Sequence, residues 1–304
     1  MTTATAIKNT TRKSMLYTQE RFNANTAEIQ GIVYKIWPSP HANDRTIFAR
    51  VQIDQTAEQI KANERPIRVT TAFLDGNVGG RPFNLLRGEH VQISGFMADF
   101  DRWETLENFL AKCNRRDLLD EQPKLAAIAG KARVRRPMTC LVPTEKDSLD
   151  GLSKSEFKDL VWDNANSAVL EGVAVSNWTY TQHGFIRLAV YDRYTEVLEE
   201  NKNRPRRKPH YITVQLTDGK IGDVAIGLLG DRGKPKPNAI RVGDRIAVQG
   251  RFTQRAQWDN LRSFIITARQ AAILAELPDT DRYSEIRFSS PMTVVEAQWF
   301  VQYT

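Results

Sequence analysis

The chain repeats part of its own sequence, and this duplication limits the folds open to it more than any other feature. Gly31 and Trp37, six residues apart, return 141 residues later as Gly172 and Trp178. Two further blocks recur in the same order at an offset of 155 residues: Arg87–Phe96 as Val242–Arg251, then Trp103, Leu106 and Phe109 as Trp258, Leu261 and Phe264. Blocks that keep their order and spacing predict two copies of one domain.

The length and composition of the chain are those of a globular protein. Its 304 residues suffice for two domains that each bury their own core. Hydrophobic residues make up 41% of the chain, yet no apolar run reaches the roughly 18 residues that span a bilayer. The N-terminus lacks the apolar stretch of a secretory signal. Cys113 and Cys140 form no C-x-x-C pair, so we expect a cytoplasmic protein with neither structural zinc nor disulfides, and no membrane partner.

Positive charge is concentrated in the second copy. The chain has a formal net charge of +7; residues 168–275 alone carry +7, whereas residues 27–113 carry −1. A basic module beside a near-neutral copy predicts a polyanionic ligand that the second copy mainly holds. The alternative is that these basic residues only keep the surface soluble.

Both copies contain runs in which apolar and polar residues alternate. Ile47, Ala49 and Val51 would lie on one face of a strand, with Phe48 and Arg50 on the other. The predicted strands are 29–36, 46–54, 67–74, 90–97 and 106–111 in the first copy, and 170–175, 185–191, 211–216, 245–252 and 261–267 in the second. Five antiparallel strands in about 100 residues are typical of an OB-fold barrel. The sequence therefore predicts an all-β protein of two tandem OB-fold barrels.

The same patterns divide the chain into five segments. They are a flexible basic arm (1–26), a first OB domain (27–113), a linker (114–167), a second OB domain (168–275) and a C-terminal extension (276–304). Short helices are expected in the linker and at the C-terminus. Ser153 and Glu156 have capping-box spacing, and Phe157 and Leu160 follow at helical spacing. The basic run 131–136 in the linker is either a ligand contact or a solvated surface.

One segment carries a resemblance to a known family. Residues Ile240–Asp259 resemble the fourth-strand signature of bacterial single-stranded DNA-binding proteins, in which a glycine and alternating valines precede Gly-Arg and a hairpin with arginine and tryptophan. Leu188–Val190 is similar to the family's second strand, and Gly31 and Gly172 stand where its first strand has a glycine. The chain resembles especially the members with two OB domains.

The resemblance implies a function, partners and an assembly. It implies a non-catalytic, nucleoid-associated protein that coats single-stranded DNA during replication, repair or recombination. Because single-barrel relatives assemble four barrels, it also implies a homodimer. Replication or recombination proteins are possible further partners, although the family's acidic recruiting tail is missing from this chain. The family's aromatic residues at the ends of the third strand are also not reproduced, since Tyr211 and Ile212 open that strand and Asp75 and Asp218 close it.

The candidate binding residues follow from what an unpaired strand exposes. A binder that ignores sequence needs aromatic rings for the bases and cations for the phosphates. Arg255 and Trp258 combine the two in one predicted hairpin, with Arg251 and Arg262 on the flanking strands. Trp258 is alternatively a core residue that caps the barrel.

Further candidates lie in a basic loop and on outward strand positions. The loop candidates are Arg204, Arg206, Arg207 and Lys208, in a proline-stiffened segment suited to phosphates. The strand candidates are Trp37, Phe48, Arg50, Trp178, Phe185, Arg187 and Tyr211, and Trp103 is a candidate in the predicted hairpin of the first copy. Trp37 and Trp178 are either stacking platforms or barrel plugs, because a repeated core also repeats its aromatic residues. Asp99, Asp101 and Glu104 crowd Trp103, so weaker binding by the first copy is expected.

Enzyme functions fit the sequence poorly. Gly227–Pro235 imitates a phosphate loop, but its spacing is one residue too long and Pro235 replaces the Ser/Thr that binds magnesium. We expect no catalytic residue, no cofactor and no metal site. Two other functions stay open. An RNA-binding OB protein would use the same stacking and phosphate contacts, and a structural adaptor would use one barrel as a protein-docking surface.

Overall fold

The computed structural model describes residues 24–39, 45–74, 83–151, 166–180, 183–190, 209–217, 240–278 and 281–303. Within them, the first copy forms β1 (Asn25–Pro38), β2 (Thr46–Ile53), β3 (Arg68–Leu74), β4 (His90–Thr105) and β5 (Arg133–Ser148). The second copy forms β6 (Asn166–Tyr180), β7 (His183–Val190), β8 (His210–Thr217), β9 (Arg245–Asn260) and β10 (Arg287–Tyr303). These strands make one 10-stranded sheet.

Each copy closes into a five-stranded barrel. In the first, β1 pairs antiparallel with β2 and β4, β2 pairs antiparallel with β3, and β3 pairs parallel with β5, which neighbours β4. The second copy repeats this order with β6, β7, β8, β10 and β9, again with a parallel pair between its third and fifth strands. This strand order confirms the predicted all-β fold of two tandem OB barrels.

One face of each strand supplies the barrel core, as the alternation predicts. Ala49, Val51 and Ile53 of β2 are buried in the core of the first barrel. Ile186 and Leu188 of β7 are buried in the core of the second. The opposite faces of β2 and β7 point away from the core, and they carry the candidate binding residues.

The two barrels are joined through their first strands. Residues 25–29 of β1 pair antiparallel with residues 166–170 of β6, and Ala27 lies opposite Ala168. These two alanines are equivalent in the duplication, so the pairing has a local twofold axis between them. The chain therefore joins its two copies as the subunits of a symmetric dimer join.

An asparagine within the paired residues of β1 and β6 binds the fourth strand of each barrel. The Asn25 side-chain amide donates to the Met97 carbonyl and accepts from the Met97 N–H, both at 2.9 Å. Asn166 makes the same pair of bonds with Phe252, at 3.0 and 2.7 Å. A side-chain amide that donates and accepts in this way replaces one backbone pair of the ladder. The sequence comparison missed this repeat because it lies just before the matched blocks.

Most of the described helices belong to a second compact unit. Only α1 (Ala57–Lys61), between β2 and β3, lies outside it. This unit, called the helical unit below, is formed by residues 100–138 and 254–292. Its helices are α2 (Leu106–Lys112), α3 (Leu118–Glu121), α4 (Pro123–Ile128), α5 (Leu261–Thr267), a 3-10 helix (Ala271–Glu276) and α6 (Arg282–Glu285). Equivalent rings from the two copies, Phe109 and Phe264, meet in its core at 4.9 Å between centroids.

The strands predicted at 106–111 and 261–267 are wrong, because these residues form α2 and α5. Thr105 and Asn260 cap the two helices, each accepting a hydrogen bond from the backbone N–H three residues ahead, at 3.3 and 2.8 Å. Apolar residues at i, i+3 and i+4 then bury one face of each helix. That spacing is helical.

The fifth strand of each barrel lies farther along the chain than predicted. β5 comes from the predicted linker (114–167), and β10 comes from the predicted C-terminal extension (276–304). The barrels therefore continue past residues 113 and 275. The helical segment between the fourth and fifth strands separates them in sequence, and local alternation does not show which distant run pairs with β4 or β9.

Several predictions fall on other parts of the chain. The helix predicted at 153–161 lies outside the described residues, as does nearly all of the basic arm; residues 25 and 26 already belong to β1. Among the helices that the structure describes, none has the length and apolar character to cross a bilayer.

The close packing of β1 on β2 gives a stability test. A Cβ atom at Gly31 would lie 2.1 Å from the Gln52 carbonyl oxygen, so Gly31→Ala must push the two strands apart. We expect the variant to lose about 3 kcal/mol of unfolding free energy in chemical denaturation. Gly130→Ala is the matched control, since a Cβ there meets nothing within 4 Å. Equal stability of the two variants would contradict this packing.

Candidate nucleic-acid interface

An aromatic pair lies on the outer face of the first barrel. Trp37 of β1 is directly opposite Phe48 of β2, and their rings stack with centroids 5.9 Å apart at an interplanar angle of 20°. Phe48 faces away from the core residue Ala49, yet it is only 7% exposed. The Trp37 ring contributes to this burial, so the indole lies over a rigid aromatic base.

The second barrel repeats this pair. Trp178 of β6 lies opposite Phe185 of β7, with the ring centroids 5.5 Å apart and 11° between the planes. Phe185 is 5% exposed and Trp178 is 38% exposed. Neither Trp37 nor Trp178 belongs to the barrel core, whose buried cluster contains the opposite faces of the same strands. The structure therefore places both tryptophans outside the buried cluster of the barrel, and their role as stacking platforms stays a prediction.

Cations lie beside the first of these stacks. The Lys35 Nζ is 5.7 Å and the Arg50 Cζ is 5.6 Å from the Trp37 ring centroid. Lys35 and Arg50 also face each other across β1 and β2. Charges within about 6 Å of an aromatic ring are attracted by its quadrupole. The first barrel thus has an outer face on which a half-buried indole is flanked by two positive charges.

Tyr34 and Arg68 extend this face and were missed from the sequence. The Arg68 Cζ is 4.4 Å from the Tyr34 ring centroid, and Tyr34 is 46% exposed. A β-bulge between Val33 and Lys35 places two consecutive residues of β1 on the outer side. Because Val33 is apolar and inward-facing, alternation predicts that its neighbour Tyr34 faces outward. The bulge itself has no clear sequence signal.

The second barrel has its own cation–aromatic contact. The Arg187 Cζ is 5.4 Å from the ring centroid of Tyr211, which is exposed on β8. The Arg187 Nε is buried and has no hydrogen-bond partner among the described residues. Arg187 follows Phe185 by two residues on the same face of β7, so the predicted outward residues Phe185, Arg187 and Tyr211 do share one surface.

Asp99 of the first barrel contacts this surface. Its carboxylate accepts a hydrogen bond from the Tyr211 backbone N–H at 3.1 Å and lies 3.2 Å from the His210 Nδ1. Burial disfavours the charged form, but the bonds to His210 and Tyr211 and the Arg187 charge outweigh it and lower the pKa of Asp99. The expectation that Asp99 repels a ligand near Trp103 treated it as a free charge, whereas it is bound to the second barrel.

The hairpin candidates, apart from Arg251, belong to the helical unit. Trp103 and Trp258 are exposed on β4 and β9 within the helical unit, which also contains Arg255 and Arg262. The Arg287 Cζ is 5.3 Å from the Trp258 ring, and Arg262 lies 3.8 Å from Asp281. Trp258 is thus a surface residue and not the predicted alternative of a barrel cap.

Arg251 belongs to the barrel unit and is paired. Its Nε lies 3.0 Å from the Glu296 Oε2 of the neighbouring strand β10. The loop candidates Arg204, Arg206, Arg207 and Lys208 lie outside the described residues, so their predicted role in phosphate binding stays a prediction.

The helical unit neutralises the carboxylates that the sequence places near Trp103. Arg136 bridges Glu104 and Asp259, which are equivalent residues of the two copies. Lys112 also pairs with Glu104, and Arg135 pairs with Asp101. The basic run that includes Arg136 is therefore at least partly structural. Burial disfavours ionisation of Glu104, but Lys112 and Arg136 outweigh it and lower its pKa.

Thiols and metal-ligating groups add no further site among the described residues. Cys113 and Cys140, which both lie within the described residues, are not joined in a disulfide, and burial raises the pKa of both thiols. Within the part of the chain that the structure describes, no three His, Cys, Asp or Glu residues form a group that holds a metal ion.

Comparison with known proteins finds matches among solved structures, and two of these are structures of one protein. No family model and no curated protein matches the chain. It is similar to the wild-type single-stranded DNA-binding protein from Thermus aquaticus, with 13% identity, a TM-score of 0.39, and coverage of 93% of this chain and 94% of that one. A deletion mutant of that protein gives 13% identity, a TM-score of 0.42, and coverage of 93% and 95%. The fold assignment rests on the strand order.

The lowered pKa of Glu104 predicts an acid-sensitive helical unit. A carboxyl with a lower pKa in the folded state than in the unfolded state adds stability above its unfolded value, ordinarily 4.5, and this stability is lost as the pH falls through the folded value. We therefore expect Glu104→Gln to lose less unfolding free energy than the parent between about pH 6 and about pH 3. Glu107→Gln, at an exposed ion pair with Arg116, is the control. Parallel pH curves for Glu104→Gln and the parent would reject the assignment.

Proposed function

We propose that this chain binds single-stranded DNA on the outer faces of its two barrels, without preference for sequence. The observation that carries the proposal is the Trp-on-Phe stack formed by β1 and β2 and repeated by β6 and β7. Unpaired bases have exposed π faces whatever their sequence, and a fixed indole with a cation beside it matches a base and its phosphate.

The stacked pairs are suited to this task because they are preorganised. Phe48 and Phe185 lie beneath Trp37 and Trp178, so each indole is held at one angle before a base arrives. A ring that is already ordered loses little rotational freedom on binding. Tyr34 and Tyr211, each in contact with an arginine, supply further exposed rings on the same faces.

Both barrels take part in the proposed binding. Residues 27–113 have a net charge of −1, but Lys35, Arg50 and Arg68 lie at the aromatic rings of that barrel. The position of cations relative to the stacking rings matters more for a phosphate than the charge summed over the domain. The larger share expected for the second copy depends on the loop at 201–209 and stays a prediction.

In the cell, the proposed role is to coat single-stranded DNA during replication, repair or recombination. We propose that the protein is cytoplasmic and nucleoid-associated and that it is not an enzyme. Replication or recombination proteins are proposed partners. RNA is the alternative ligand, because stacking and phosphate contacts alone do not distinguish the two sugars. Competition among unpaired DNA, RNA and duplex DNA for the purified protein separates these ligands.

Tryptophan substitutions test the proposed faces. We expect Trp37→Ala and Trp178→Ala each to weaken binding of oligothymidylate by about tenfold or more, since stacking on one ring is worth about 1–3 kcal/mol per base. Fluorescence anisotropy at one fixed salt concentration measures the affinity. Trp299→Ala is the matched control, because Trp299 is an exposed tryptophan of β10 and is a member of neither stack.

The same series distinguishes the faces from the hairpins. Trp258→Ala tests the residue that the sequence favours, and it should weaken binding less than Trp37→Ala. The proposal is wrong if Trp37→Ala and Trp178→Ala bind as tightly as the parent, whatever Trp258→Ala does. Loss of binding in the Trp299→Ala control would show a general effect on the fold.

The proposed homodimer is tested by mass in solution. The chain has a mass of 34.6 kDa, so light scattering should give twice this value. A value of 34.6 kDa at micromolar concentration would reject the dimer. It would leave the proposed binding faces intact, because each chain contains both.

A further inference from the structure

A residue of the first barrel contacts the outer face of the second barrel. The backbone N–H of Tyr211, at the start of β8, donates to a carboxylate oxygen of Asp99, and Asp99 belongs to β4 of the first barrel. The two residues are 112 positions apart in the chain. The exposed ring of one barrel is thus attached through its backbone to the other barrel.

Asp99 binds β8 at a place where the strand needs a partner. On one side, Tyr211 pairs with Ala189 of β7. On the other side, the parallel ladder with β10 includes Val214 and Gln215, farther along β8. The Tyr211 N–H lies before this ladder, and its hydrogen bond is to the Asp99 carboxylate, a charged acceptor that binds an N–H more strongly than a neutral one does. The Asp99 carboxylate therefore acts as the missing strand partner.

The surroundings of Asp99 are polar, buried and specific. Its side chain is 11% exposed, and it also lies 3.2 Å from the His210 Nδ1. The Phe96 ring of the same strand contacts the His210 ring, with 6.5 Å between centroids. The Arg187 charge acts on the same carboxylate while its guanidinium lies 5.4 Å from the Tyr211 ring. One carboxylate thus holds the backbone of the ring residue and attracts the cation beside that ring.

The position equivalent to Asp99 in the second copy is Gln254, which carries no charge. The carboxylate that accepts the Tyr211 N–H therefore has no acidic counterpart in the repeat.

We propose that Asp99 is a positioning residue for the single-stranded DNA-binding face of the second barrel. It fixes Tyr211 and Arg187 in the geometry that accepts a base and its phosphate, and so it couples the binding of one barrel to the presence of the other. This inference rests on the proposed function, because it assigns a role to Asp99 in that binding.

A double-mutant cycle in the full chain tests the inference. We expect Asp99→Ala to weaken binding of fluorescein-labelled oligothymidylate by about tenfold, and to weaken it by less than about twofold when Tyr211→Ala is already present. Asp99→Asn keeps an oxygen that accepts the Tyr211 N–H, so its loss should be about threefold. Asp101→Ala is the matched control, because Asp101 lies on the same strand, exposed and paired with Arg135, and it should bind within about twofold of the parent.

The possible results separate this inference from the proposed function. If Asp99→Ala does not fold, the smaller loss in Asp99→Asn must still vanish in the Tyr211→Ala background. If Tyr211→Ala weakens binding and the Asp99 variants do not, Asp99 has no positioning role and the proposed face stands. Equal losses in both backgrounds would mean that Asp99 acts only through general stability, which overturns the inference. If neither Tyr211→Ala nor Arg187→Ala weakens binding, the proposed face of the second barrel is itself wrong.

Discussion

Backbone pairing between β1 and β6 is the interaction on which the rest of the structure depends. Because Ala27 lies opposite its own equivalent Ala168, the two barrels share a continuous hydrogen-bonded sheet across a local twofold axis. In each barrel, the fourth strand pairs with the other edge of this first strand: β4 pairs with β1, and β9 pairs with β6. A single pairing therefore fixes the relation between the two barrels, and it places Asp99 within hydrogen-bond distance of Tyr211.

The parts of the fold that sequence predicts are those with a local signal. Alternation located four strands of each barrel, and the duplication predicted that both would close in the same way. The predicted positions of the fifth strands were wrong because a capped helix follows the fourth strand of each barrel, α2 in the first and α5 in the second. The same leucine and phenylalanine occur at equivalent positions of both helices. Such a repeat shows that the two segments are equivalent, but it does not show whether they are helices or strands.

The candidate site shows the same division. Phe48 and Arg50 were predicted to face outward, and Trp37 was left as either a platform or a barrel plug. The structure places the three together, although the burial of Phe48 beneath the indole had no sequence signal. Tyr34 reaches the face next to a β-bulge. The contact of Asp99 with Tyr211 joins residues of different barrels, and no pattern within one segment predicts such a contact.

Charge summed over a domain is a weak guide to where an anion binds. The first copy has a net negative charge, yet cations lie at the aromatic rings of its outer face. Carboxylates such as Glu104 and Asp101 are paired with neighbouring cations. Formal charges that are paired within the fold are largely neutralised toward a ligand, and the local arrangement of cations and rings then decides the interaction.

The central claim is that bases stack on the repeated outer faces of the barrels. Photo-crosslinking with an oligonucleotide that contains 5-iodouracil, followed by mass spectrometric mapping, tests it most directly, because the reaction favours aromatic residues in stacking contact. We expect crosslinks at Trp37 and Trp178, with further ones at Tyr34 and Tyr211. Crosslinks confined to Trp103, Trp258 and Trp299 would contradict the account and move the interface away from these faces.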